Sequence, residues 1–284
     1  MTDDLKKVKK RIIILRQEIK RLRDLYHKED VSEIPDSALD SLKRELFILE
    51  EKYPQFIDKN SPSQRVAGGV KTGFAKVKHS SPILSLQDAF NYEDLSNWEE
   101  RNLKITNEKI KEYFCELKMD GLTVVLTYLN GQLSVGATRG DGKVGENVTN
   151  NIRTIKSIPQ VLSGGKWPNE VVVRGEVVMS KSTFDRLNEV NQSKGNNKMA
   201  NPRNAAAGSV RQLNPLITKE RDLDCFVFEL ITDCGQKTHS DSHEILRKMG
   251  FKVGQHDKKC HNLFEVQKFL NEWEEKRKKL NYWT

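Results

Sequence analysis

Cysteine is scarce in this chain of 284 residues. There are four, Cys115, Cys225, Cys234 and Cys260, and no two stand in Cys-x-x-Cys spacing. That argues against a disulfide-stapled scaffold and a zinc ribbon, and favours a reduced, cytoplasmic protein. Long apolar runs are also missing: no stretch reaches the ~20 residues that cross a bilayer, and the N-terminus is too charged for a signal peptide. His239 and His243 stand four apart, but no glutamate follows the first. They read as surface residues, and no residue is assigned to a metal. No internal repeat or low-complexity tract occurs.

Charge is plentiful and unequal. Lys and Arg number 48 against 40 Asp and Glu, a net charge of +8, with a pI of about 9.1. This balance favours polyanionic partners without requiring them. Hydrophobic residues make up 36% and charged residues 31%, enough for a core and one or two domains.

From Leu5, the apolar positions Val8, Ile12, Leu15, Ile19, Leu22 and Tyr26 step by three and four, the period of an amphipathic helix. After Ile34-Pro35-Asp36, Leu39, Leu42, Leu46, Leu49 and Tyr53 repeat it until Pro54. Two such helices make an antiparallel hairpin, and a coiled-coil arm is one reading of it. The polar and aromatic groups Tyr26, His27, Asp36 and Asp40 gather at its turn, which a simple arm does not need. Residues 58–75, rich in Ser, Pro and Gly, read as a linker, so the domains expected are 1–72 and 73–284.

Leu95 to Lys111 reads as an interrupted helix. A strand passing through Lys118 then turns at Asn130-Gly131 and returns over Gln132 to Thr138, because Asn-Gly between alternating apolar runs signals a hairpin. Glu170 to Met179 suggests a strand pair, Ser180 or Ser182 a cap for a helix through Asn191, Asn196 to Gln212 a polar segment, and Cys225 to Ile231 a strand. Ser240–Gly250 and Asn262–Lys279 read as helices. Without regular strand-helix alternation, these elements point to an α+β fold with antiparallel sheet.

Lys118 belongs to Cys115-Glu116-Leu117-Lys118-Met119-Asp120-Gly121. An amine is a nucleophile only when unprotonated, so a reactive lysine needs desolvation, a nearby cation or a base. Lys-x-Asp-Gly alone is a weak signal, and its spacing favours a surface lysine beside a turn. Its company is more specific: Tyr26-His27 with Ile34-Pro35-Asp36 and Asp40, then Ser85-Leu86, Cys115 to Gly121, Thr138 to Gly142, Arg174-Gly175-Glu176 and Asn201 to Arg211. In this order the chain resembles the N-terminal part of bacterial-type NAD-dependent DNA ligases.

The resemblance implies an α+β fold: a helical hairpin that binds nicotinamide mononucleotide, followed by a nucleotidyltransferase (ATP-grasp-like ligase) domain of antiparallel sheets and helices. It implies NAD and Mg2+ as cofactors, with NAD as adenylyl donor. Lys118 would attack the α-phosphorus, and Asp120 would position or deprotonate it. Glu116 would accept from the adenine amino group, with Ser85 and Leu86 at the adenine edge. Arg139, Arg203 and Arg211 would hold ribose and phosphates, while Glu176 would meet ribose hydroxyls or a magnesium-bound water. Tyr26, His27, Asp36 and Asp40 would grip the nicotinamide half.

Two positions depart from the family pattern: Leu39, where many members have tyrosine, and Ser85-Leu86-Gln87-Asp88 in place of Ser-Leu-x-Asn. The family's downstream Asp-Gly-apolar-apolar-Lys strand and DNA-closing domains do not follow Asn281-Tyr282-Trp283-Thr284. The expectation is therefore an adenylation part or subunit, completed by a further segment or partner and acting on nicked duplex DNA. A noncatalytic nucleic-acid or partner-binding remnant is the alternative. An ATP-using ligase or capping-type enzyme would share Lys-x-Asp-Gly but has no use for a nicotinamide-binding hairpin.

Overall fold

The computed structural model describes residues 3–24, 36–57, 61 and 73–284. Helices α1 (Asp3–Asp24) and α2 (Asp36–Lys52) form where the three-four periodicity places them. Ile12, Leu15, Ile19 and Leu46 are sealed between them, with Leu39 and Leu42 packed at the margin. The Arg16 guanidinium meets Glu50 at 2.6 Å, and Ser61 Oγ donates to the same carboxylate oxygen at 2.7 Å. Glu50 is only 3% exposed, and a buried charge persists when paired in this way. Tyr26 and His27 lie outside the described residues; Asp36 begins α2 and Asp40 stands in its first turn.

The remaining elements are β1 (Lys76–Lys78), α3 (Tyr92–Thr106), β2 (Tyr113–Cys115), β3 (Leu122–Leu129), β4 (Gln132–Thr138), β5 (Val144–Glu146), α4 (Thr149–Ile152) and β6 (Glu170–Val178). They continue through α5 (Lys181–Ser193), α6 (Pro202–Val210), α7 (Pro215–Glu220), β7 (Asp224–Leu230), α8 (His239–Met249), β8 (Lys258–Cys260) and α9 (Leu263–Lys276). An antiparallel four-stranded sheet runs in the order β4-β3-β6-β7, and β1–β5 and β2–β8 are separate two-stranded pairs. Arg44 of α2 stacks over Phe90, 4.2 Å from its centroid, just ahead of α3.

Strand side chains alternate between faces. Val124, Leu126 and Tyr128 of β3, with Val171, Val173 and Val177 of β6, join the main core with Ile152, Ala206, Val210, Leu246 and Met249. The opposite face carries Thr123, Val125, Arg174 and Glu176, and its smaller apolar cluster includes Ile83, Val125 and Val172. The predicted β3–β4 hairpin forms, with positive φ at Asn130 (49°) and Gly131 (77°), the conformation that the right-handed strand twist demands of a two-residue turn.

Three expectations are corrected. Glu170–Val178 is one strand rather than a pair. Its valines lack alternation because both faces are covered: Arg174 on the face opposite the core bonds to Ser81 Oγ at 2.8 Å and the Pro82 carbonyl at 3.0 Å. The polar segment around Asn201 holds a helix, α6, capped by the Asn201 side chain on Asn204 N. It buries Ala205, Ala206 and Val210, small residues that give weak apolar periodicity. The helix expected over Leu95–Lys111 instead ends at Thr106, where Asn107 turns left-handed at φ 56°.

Candidate active site

The segment carrying Lys118 is not itself a strand. β2 stops at Cys115 and pairs with β8; residues 116–121 then cross to β3 without regular structure. Two contacts fix the crossing. The Asp120 N–H donates to the Trp283 carbonyl at 2.9 Å, and Trp283 packs edge-on against Phe184. A Cβ at Gly121 would stand 2.2 Å from the Val177 carbonyl oxygen, so only glycine lets the chain pass β6 so closely.

Register then assembles the charged groups. Thr123 lies opposite Glu176 and donates from Oγ1 to Glu176 Oε2 at 2.8 Å. Glu176 is 7% exposed. Burial raises its pKa, opposed by the Thr123 hydrogen bond and the charges of Lys118 and Arg203, while Asp120 adds to the rise. Arg203, on α6, meets Asp120 with Nη1 to Oδ1 at 3.3 Å. Arg139 follows β4, tied by its N–H to the Thr123 carbonyl at 3.1 Å.

The Arg139 Nη2 donates to Ser85 Oγ at 3.1 Å, whereas its Nε is buried without a hydrogen-bond partner. Burial lowers its pKa, helped by Arg203 and Arg174 and opposed by Glu176; a guanidinium nonetheless stays charged. Three cations, Lys118, Arg139 and Arg203, thus surround one buried carboxylate, with a guanidinium N–H unspent. That donor set suits an oxyanion such as a phosphate.

Other expected site residues lie elsewhere. Arg211 donates from Nε to Glu146 Oε2 at 2.8 Å, a carboxylate with 1% of its side chain exposed, so this nitrogen serves the fold. Ser85 reaches Arg139, but Leu86 stands exposed. Arg174 does not pair with Glu176; its Nη1 meets Glu229 of β7 at 2.8 Å.

The Glu116 carboxylate turns toward α8, where Oε2 contacts His239 Nε2 at 3.1 Å and His243 Nε2 at 3.2 Å. Burial pushes its pKa up, but hydrogen bonds and charge from both histidines outweigh this and hold it at about 2. The expectation that both histidines are surface residues fails for His243, which is 1% exposed. Its Nδ1 meets Asp257 Oδ2 at 2.9 Å. Burial lowers its pKa, yet Asp257 and Glu116 raise it to about 9. Spacing carried a signal here: His243, Leu246 and Met249 fall on the buried stripe of α8.

All four cysteines are free thiols. No described helix is long and apolar enough to cross a membrane.

Residues 71–284 match the family model of the NAD-dependent DNA ligase adenylation domain, and residues 5–67 match the DNA ligase-like, N-terminal NAD+-binding domain. A relative from Shouchella clausii named DNA ligase is 44% identical over 259 residues, covering 90% of this chain and 38% of the relative. DNA ligases from Thermotoga petrophila and Acidobacterium capsulatum are 42% and 43% identical, over 95% and 94% of this chain and 39% and 41% of their own lengths. The chain therefore spans about two fifths of the length of these curated relatives. The chain belongs to the NAD-dependent DNA ligase adenylation-domain family.

Proposed function

We propose that this chain is the adenylation part of an NAD-dependent DNA ligase and that Lys118 is its nucleophile. The observation that carries the reading is the gathering of Lys118, Asp120, Arg139 and Arg203 around buried Glu176. In the unprotonated state, Lys118 Nζ attacks the α-phosphorus of NAD. An N–P bond forms, the pyrophosphate P–O bond breaks, and nicotinamide mononucleotide leaves with the electron pair.

Asp120 positions the amine or takes its proton. Arg139 and Arg203 bind charge that develops on the phosphate oxygens, while Glu176 receives ribose hydroxyls or a magnesium-bound water. Magnesium, when bound, offsets phosphate charge. Glu116 receives the adenine amino group, and Ser85 and Leu86 border the base. Arg211 supports the phosphate side, its Nε already engaged by Glu146. Tyr26, His27, Asp36 and Asp40 hold the nicotinamide half, with residues 1–72 acting as that module and 73–284 as the transferase domain.

The adenylyl group would then pass to a 5'-phosphate of nicked duplex DNA for sealing, in replication or repair in the cytoplasm, together with the family's remaining ligase segments. The net charge of +8 suits that partner. Mass analysis after incubation with NAD and magnesium, alone and with the downstream segment added, tests the reading. One adenylyl group on the peptide containing Lys118, absent from Lys118→Ala and not formed from ATP, is expected. No adduct under either condition overturns it and favours a noncatalytic binding protein.

A further inference from the structure

His243 of α8 is buried, and both of its ring nitrogens face oxygen acceptors. Nδ1 stands 2.9 Å from Asp257 Oδ2. Nε2 stands 3.2 Å from Glu116 Oε2 and 3.3 Å from the Phe228 carbonyl of β7. A neutral imidazole carries one N–H, so one of its nitrogens would turn a lone pair toward an acceptor. Only the imidazolium donates on both sides, and the two flanking carboxylates pair its buried charge. Burial lowers the His243 pKa, but hydrogen bonds and charge from Asp257 and Glu116 raise it to about 9.

Strand pairing brings the two acids to this ring. Glu116 follows β2 and Asp257 precedes β8, at the same end of a ladder in which Cys115 lies opposite Lys258. His243 bridges them from α8, and Arg247 Nη2 holds Asp257 from behind at 3.3 Å. The Phe114 ring stands edge-on to His243, with centroids 5.0 Å apart. The exposed His239, its ring 4.8 Å from that of His243, reaches Glu116 Oε2 from the solvent side at 3.1 Å. Oε2 thus has two imidazole partners, whereas among the described residues nothing donates to Oε1.

We propose that His243, oriented by Asp257, is a positioning residue for base recognition: it pins Glu116 through Oε2 and leaves Oε1 to accept from a purine 6-amino group. This rests on the adenylation reading above. A fixed carboxylate accepts from a 6-amino group but repels a 6-oxo oxygen, so the network sets the choice of base as well as the grip on it. Burial alone pushes the Glu116 pKa upward. With the imidazolium gone, a protonated Glu116 donates to a 6-oxo group, and the discrimination shrinks.

Nitrogen-15 NMR of the imidazoles in the full chain tests the charge without any reaction. Both His243 nitrogens should carry protons at neutral pH, the signal being assigned by its loss in His243→Gln, and the ring should become neutral only at about pH 9. A neutral ring at neutral pH overturns the proposal. Lysyl-nucleotide formation is then followed against the concentration of NAD and of its 6-oxo analogue, nicotinamide hypoxanthine dinucleotide. The parent should favour NAD by about 100-fold or more in kcat/KM. In His243→Gln and in Asp257→Asn, KM for NAD should rise about tenfold with kcat nearly unchanged, and the preference for NAD should fall about tenfold. Misfolding alone lowers the yield from both dinucleotides equally and leaves their ratio untouched. Asp257→Asn keeps His243 in place, so it decides the matter where His243→Gln is unstable. An unchanged ratio in Asp257→Asn beside an active parent overturns this inference alone. A parent that forms no lysyl adduct overturns the adenylation reading, and this inference with it.

Discussion

Two carboxylates near Lys118 occupy opposite environments. Glu116 rests against two imidazoles that hold its pKa at about 2, whereas burial pushes Glu176 upward while its facing cations only partly compensate. The Glu116 region satisfies its charge within the protein. The Glu176 region gathers Lys118, Arg139 and Arg203 around one carboxylate and leaves Arg139 Nε without a hydrogen bond. The first arrangement is complete as folded; the second has donors in excess, as expected where a phosphate is to be received.

The largest effect should come from Asp120→Asn, which removes the carboxylate that meets Arg203. Lysyl-AMP formation should fall by about 10²- to 10⁴-fold, the usual worth of a positioned acid or base. Single-turnover mass analysis measures it; an unchanged rate would remove Asp120 from the chemistry.

Gly121→Ala should disturb both regions together, because its Cβ would meet the Val177 carbonyl oxygen at 2.2 Å. A loss of about 3 kcal/mol or more in denaturant unfolding is expected. A smaller loss would show that the crossing segment can shift away from β6.

Glu116→Gln removes a carboxylate that the histidines stabilise, at a cost on the order of 2 kcal/mol near neutral pH. Because folding lowers this pKa from 4.5 to about 2, its contribution is present above the unfolded value and is lost as pH falls from about 4.5 to about 2. Stability measured across that window should drop in the parent and flatten in the variant.

Glu176→Gln should produce the smallest stability change, with the opposite sign. A carboxyl group raised by burial loses stability as pH climbs from the ordinary 4.5 toward its folded value. The amide should therefore unfold at a higher temperature at neutral pH while transferring adenylyl groups more slowly, the trade expected where a site holds unfavourable charge for function. A lower midpoint would mean that the facing cations dominate.

Much of the architecture was legible because its causes are local. Three-four spacing over Val8 to Leu22 placed α1, and Pro54 marked the end of α2. Asn130-Gly131 fixed the hairpin, and Ser180 capped α5 by accepting from Thr183 N. The short strands β1, β2, β5 and β8, three residues each, are too brief to show a period. Their pairing depends on partners distant in sequence: Lys76 lies opposite Glu146, and Tyr113 opposite Cys260.

The site divided along the same line. The family resemblance grouped Lys118, Asp120, Arg139, Glu176 and Arg203, and in the fold the charges of Lys118, Arg139, Arg203 and Asp120 act on or beside Glu176. Sequence by itself determined α1, α2, α5, α8, α9 and the hairpin turn, all set by near neighbours and residue type. Only tertiary structure decided that Glu116 faces His239 and His243, that Arg211 serves Glu146, and that Thr123 holds Glu176. Each depends on strand register or helix packing between residues 53 or more positions apart, and such contacts leave no periodic trace along the chain.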